Sequence, residues 1–169
     1  MCSSDLDEFM FRHEDFLFVV AMGNAGANPG DGTISVPATA KNVVSVGSTT
    51  NGGLGTLADD LINSSRGPVF DGRRKPDLVA PGEMIVSALG TESNVDDNCS
   101  TWSHTGSSYA APTVSGLLAL MRQYFMDGFY PTGSRAAENV RIPSGALLKA
   151  CLINGAVPLG RIAPLTSGL

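Results

Sequence analysis

The sequence predicts a layered α/β protein with a mainly parallel sheet between helices, and three observations point that way. The run Phe16-Leu17-Phe18-Val19-Val20-Ala21 is apolar without alternation, as in a parallel strand covered on both faces. Short strand-like runs take turns along the chain with segments whose apolar residues recur at helical spacing. The 169 residues include 20 Gly and 10 Pro, are 43% hydrophobic and only 16% charged, which suits a turning backbone around a real core and an enzyme rather than a coiled coil.

In chain order, Leu6, Phe9, Met10 and His13 follow i, i+3, i+4, i+7 spacing, so residues 5–13 read as an amphipathic helix with acidic residues in its first turn. The strand 16–21 follows and is broken by Gly23-Asn24-Ala25-Gly26. A second strand, 42–48, comes after the Gly- and Pro-rich loop 26–37, and two more short ones, 78–80 and 84–88, flank Pro81-Gly82. From Tyr109 the residues Ala110, Val114, Leu117, Leu118 and Met121 keep helical spacing, with Pro112 expected in the first turn, so this helix should be central and buried. Ser144 reads as the N-cap of a last helix carrying Leu147, Leu148, Cys151 and Leu152, ended by Asn154-Gly155. The strands are few, and the sheet reads as part of a larger one.

A net charge of −5 argues against nucleic acid or an anionic membrane as the main partner, since phosphates call for clustered Lys and Arg and the one basic run, Arg73-Arg74-Lys75, is short. No apolar run approaches the length of a membrane span. Cys2, Cys99 and Cys151 have neither CxxC spacing nor a neighbouring His pair, so no metal site is signalled; Cys151 reads as a small core residue and Cys99 as a loop residue where a disulfide could form.

The segment Thr105-Gly106-Ser107-Ser108-Tyr109-Ala110-Ala111-Pro112 places serines at the start of a buried helix directly after a glycine. Read locally, Ser107 or Ser108 simply caps the helix, the commonest use of serine there. Read chemically, a nucleophilic serine at a helix N-terminus gains from the dipole and from backbone N–H groups that face a developing oxyanion. The string nearly fits the nucleophile elbow G-x-S-x-G, but that triad places its acid and His after the serine, whereas His13 and His104, the two histidines of this sequence, both precede Ser108. A general base must come from upstream.

The string Gly106-Ser107-Ser108-Tyr109-Ala110-Ala111-Pro112 resembles the G-T-S-x-A-x-P signature around the nucleophile of the subtilisin-like serine proteases, or subtilases. Val19-Val20-Ala21-Met22-Gly23-Asn24-Ala25-Gly26 is similar to the family segment whose Asn completes the oxyanion hole, followed by Val36-Pro37-Ala38-Thr39-Ala40 and on to Gly47. Ser65-Arg66-Gly67-Pro68 and Arg74-Lys75-Pro76-Asp77-Leu78-Val79-Ala80-Pro81-Gly82 are similar to its S-x-R-G and K-P-D-x-x-A-P-G blocks, in the same order. The resemblance runs from about residue 5 to about residue 157 and implies the C-terminal part of a subtilisin-like catalytic domain, with 158–169 as its end or the start of a linker or following domain. It also implies a serine endopeptidase acting on protein or peptide substrates through an acyl-enzyme. Ser108 would attack the scissile carbonyl, while Asn24 and the Ser108 N–H would stabilise the oxyanion. Ala21, Met22 and Gly23 would form one wall of the pocket for the side chain before the cleaved bond, with Met22 narrowing or softening it, and Val36–Pro37 would be cis.

Departures bear on this reading. Ser107 stands where the family usually has Thr, and Tyr109 where it usually has Met, which adds bulk beside the nucleophile. The family's catalytic Asp and His lie upstream of the oxyanion Asn, so they are expected outside this sequence, which alone has no triad and should be inactive. Neither histidine replaces the base: His104 reads as a loop residue and His13 as a cation at a helix end. No cofactor is evident. Calcium comes only from the resemblance, since Asp59-Asp60 and Asp96-Asp97 lack a ligand-loop pattern. Secretion is likewise a family expectation, with any signal upstream. A non-catalytic subtilase-like module that binds peptides or partners remains the alternative.

Overall fold

The computed structural model describes residues 3–26, 32–51, 63–90 and 99–159. The elements are α1 (Ser3–Arg12), β1 (Val19–Ala21), β2 (Val44–Thr49), β3 (Leu78–Pro81), β4 (Ile85–Ala88), β5 (Thr101–His104), α2 (Ser107–Met126), a 3₁₀ turn (Ala137–Asn139) and α3 (Gly145–Asn154). Strands β1, β2 and β3 form a parallel sheet in that order, with Val19 opposite Val44 and Val46 opposite Leu78.

Side-chain alternation divides the sheet into two faces. Val19, Ala21, Val44, Val46, Leu78 and Ala80 pack with Val114 and Leu118 of α2 and Leu148 and Leu152 of α3. The opposite parity, Phe18, Val20 and Val43, meets Leu6 and Met10 of α1. Cys151 packs against the first of these clusters, as expected of a small core residue. The strand expected over 16–21 is regular only over Val19–Ala21 and is half-buried, because it is the outer strand of the described sheet. Strand β4 does not join the parallel sheet. It pairs antiparallel with β5, an element the sequence did not announce, because Thr101–His104 is exposed throughout and lacks an apolar face.

Helix α2 begins at Ser107, two residues before the start expected from periodicity. Pro112 is therefore its sixth residue, and it withholds the N–H that the Ser108 carbonyl would otherwise receive. The helix is buried along one side only. Ala110, Ala111, Val114, Leu118 and Phe125 face the sheet, while Leu117, Leu120 and Tyr124 are exposed among the described residues. Ser144 caps α3 as expected, its Oγ accepting from the Leu147 N–H at 3.1 Å, and Gly155 closes it. Among the described residues no helix is long and apolar enough to cross a membrane.

A buried ion cluster fixes the register of β3. Asp77 Oδ2 accepts from Lys75 Nζ at 2.7 Å and from Ser45 N–H and Oγ–H at 2.8 Å each, while Lys149 of α3 approaches Oδ1 at 3.3 Å. Lys75 is thus no part of a basic surface: its side chain is 3% exposed. Burial alone would raise the Asp77 carboxyl, but the hydrogen bonds from Lys75 and Ser45 and the Lys149 charge outweigh it and hold it below the ordinary carboxylate range.

Candidate functional site

The site grows from the C-terminal ends of β1 and β3. Beyond β1 the Met22 N–H still pairs with the Val46 carbonyl at 2.9 Å, and the chain then turns sharply at Gly23, whose φ of 100° favours glycine. Hydrogen bonds from two distant segments hold the turn. The Gly23 N–H donates to Ser107 Oγ at 3.1 Å, and the Gly23 carbonyl accepts from the Ser65 N–H at 2.9 Å. Past Asn24, the Ala25 N–H donates to Ser65 Oγ at 3.1 Å and the Gly26 N–H to the Asn63 carbonyl at 3.0 Å. Asn24 stands exposed at the crest of this turn.

Beyond β3, Gly82 receives the entry to α2: its carbonyl accepts from the Gly106 N–H at 2.8 Å, and a Cβ there would lie 2.7 Å from the Gly106 carbonyl oxygen and from Ser48 Cβ. Gly106 is the N-cap, at φ 153° and ψ 167°. This overturns the capping reading of the serines. Neither Ser107 nor Ser108 is the cap, because both are already helical, and the acceptor the helix end needs comes from Asn24. Ser107 N–H and Oγ–H both donate to Asn24 Oδ1, at 2.9 and 3.0 Å. These two donors settle which way the amide points, so Nδ2 is the group that remains to donate. Ser107 is fully buried, whereas Ser108 is exposed beside it. Among the described residues neither Asn24 Nδ2 nor the Ser108 N–H or Oγ has a hydrogen-bond partner. The helix end supplies a positive dipole, and its first turn contains no acidic residue to cancel it.

Gly106 is required twice over. Its backbone lies in a region that is essentially glycine's, and a Cβ would sit 3.1 Å from Asn24 Nδ2 and 3.2 Å from Oδ1. Gly106→Ala is therefore expected to lower stability by about 1–3 kcal/mol and to displace the Asn24 amide. Urea denaturation checks the first effect, and the side-chain amide shifts of Asn24 by NMR check the second.

The other residues singled out in the sequence are placed as follows. Ala21 and Gly23 are partly exposed on the approach to Asn24, but Met22 is 0% exposed. The Met22 side chain, expected in a substrate wall, points into the interior, and the surface of the segment is that of Ala21 and the backbone at Gly23. The Val36–Pro37 bond is cis. The His104 ring stacks on Tyr109 at 5.3 Å and 7°, and the His13 ring lies 4.3 Å from Phe9; among the described residues neither hydrogen-bonds to Ser108. Asp59-Asp60, Asp96-Asp97 and Cys2 lie outside the described residues, among which no group of three metal-ligating side chains occurs. A cleft of about 560 Å³ between α1 and α3 is lined by Met10, Lys41 and Lys149 and includes no residue of the Asn24–Ser108 cluster.

Two contributors escaped the sequence reading. The sequence offers Ser107 as a cap or as a residue standing where the family usually has Thr, and Ser65 only as part of a matching block. Their signal was the type of a small polar residue, and burial turned each into a fixed hydrogen-bonding post.

The profile of the Subtilase family matches residues 2–165. Over 113 residues the chain is 43% identical to the serine protease/ABC transporter B family protein tagD of Dictyostelium discoideum, covering 62% of this chain and 6% of that protein. It is 34% identical to the serine protease AprX of Bacillus subtilis over 113 residues, 62% of this chain and 25% of that one. The chain thus spans a quarter or less of these two relatives. Among solved structures, Sphericase superposes with a TM-score of 0.61 at 20% identity, over 89% of this chain and 43% of that chain, a likeness of fold.

Proposed function

This chain belongs to the subtilase family, and from that premise we propose that it carries the nucleophile and oxyanion half of a serine endopeptidase site, completed by an Asp and a His on an upstream part of the whole protein. The supporting observation is the locked Asn24 amide. With Oδ1 occupied by both Ser107 donors, Nδ2 is left to donate at the helix end that carries Ser108, whose own N–H is unpaired among the described residues.

In this reading Ser108 Oγ attacks the scissile carbonyl and its proton passes to the upstream imidazole, which the upstream carboxylate orients. The carbonyl oxygen becomes an oxyanion between Asn24 Nδ2 and the Ser108 N–H. An amide is suited to this role because it donates without bringing a competing charge. The tetrahedral adduct then expels the amine, which takes the proton from the imidazolium, and water later releases the acyl group from Ser108 by the same route. Ala21 and the backbone of Met22 and Gly23 would flank the substrate.

The test is to treat the full-length protein with a fluorophosphonate and map the adduct. A label on Ser108 supports the reading. No label on a folded full-length protein overturns it and leaves a peptide-binding module. Asn24→Ala in the full-length enzyme is expected to lower kcat by roughly 10²–10³-fold with KM little changed, a scale established on subtilisin, a member of this family. Steady-state kinetics on a peptide amide substrate check it.

A further inference from the structure

The Asn24 donor stands on an exposed turn, and an oxyanion donor is useful only if it is fixed before the charge develops. Its own side chain is held from one side, by Ser107. We propose that Ser65 is the positioning residue that holds the backbone under it, an inference resting on the oxyanion role given to Asn24 above.

Three observations carry this. Ser65 bonds to both neighbours of Asn24: its N–H reaches the Gly23 carbonyl at 2.9 Å, and its Oγ accepts from the Ala25 N–H at 3.1 Å. Ser65 is 1% exposed and Ala25 partly buried, so the bond between them is shielded from water on the serine side, and deleting the hydroxyl leaves the Ala25 N–H without its partner. The Oγ is also packed under the turn, since a Cβ on Gly23 would lie 2.8 Å from it. Ser65 thus brackets Asn24 and sets the height of Gly23, while Ser107 takes the Gly23 N–H from the other side. Among the described residues no hydrogen bond joins Ser65 to Ser108. The effect of Ser65 on the reaction must pass through the turn.

Ser65→Ala in the full-length enzyme is expected to lower kcat by roughly 10–100-fold with KM within about twofold, the scale of a misplaced catalytic group. A structural defect alone would also lower activity, so the decisive readout is coupling to Asn24. In an Asn24→Ala background, Ser65→Ala should change kcat by less than about twofold, because the donor it positions is gone. An equal loss in both backgrounds, or a wild-type kcat for Ser65→Ala alone, overturns the inference. A wild-type kcat for Asn24→Ala overturns the oxyanion reading itself, which is a separate outcome. Should Ser65→Ala fail to accumulate as folded protein, Ser65→Cys, with a weaker acceptor of similar shape, serves the same cycle: an intermediate kcat loss that vanishes with Asn24→Ala supports the role, and a wild-type kcat overturns it.

Discussion

Ser108→Ala in the full-length protein is expected to abolish fluorophosphonate labelling and to lower kcat on a peptide substrate by roughly a million-fold, the magnitude known for loss of the nucleophile in subtilisin. Residual turnover above water would persist, since the Asn24 amide and the helix end remain to stabilise an oxyanion formed by water attack. The 169-residue chain alone should label poorly even with Ser108 intact. A serine hydroxyl without a base keeps its weak intrinsic nucleophilicity, and the two histidines present are engaged elsewhere, His104 against Tyr109 and His13 against Phe9. Supplying the proposed Asp- and His-bearing segment should raise labelling at Ser108 and at no other serine. A label that survives Ser108→Ala would show that another residue reacts and would end the assignment.

The outline of the fold was legible where the signal is local. Helix α3 announced itself by Ser144 at its cap and Gly155 at its end, and both are used as expected. Strand β5 was not legible, because its four residues are exposed on both faces and nothing in their pattern distinguishes them from a loop. Met22 was readable in principle. It continues the parity of Phe18 and Val20, away from the face of Val19 and Ala21, so it turns into the molecule once the strand's pairing extends to it. The capping of α2 was beyond local reading. Serine's preference for the N-cap describes an isolated helix, and here an asparagine 83 residues earlier accepts from Ser107 and releases the serines for other work. Ser65 is a similar case, since its hydroxyl gains meaning only from the Ala25 N–H, 40 residues away. Residue order along the chain identified the blocks; spatial pairing between them assigns the hydrogen bonds.

Asp77→Asn is expected to destabilise the protein by about 3–5 kcal/mol, the usual cost of removing one partner from a buried ion pair. The change keeps the side chain's shape and removes the charge that answers Lys75 and Lys149, leaving an ammonium that is 3% exposed without a counter-ion. The dependence on pH separates this from a simple packing defect. In the wild type the folded carboxyl is held below its unfolded value, so its contribution is complete above about pH 4 and is lost as pH falls through the folded value. The variant should lack that acid-side loss. On the alkaline side burial lowers the proton affinity of Lys75, so the unfolded chain binds more protons than the folded one, and the variant should regain stability as pH rises towards the ordinary lysine range. Urea titrations across pH measure both slopes. The defect should also reach the site, because β3 leads directly into Gly82, whose carbonyl holds the Gly106 N–H at the head of α2. A fall in Ser108 labelling of full-length Asp77→Asn under conditions where it stays folded is the expected sign of that connection, and unchanged labelling would confine the ion cluster to stability alone.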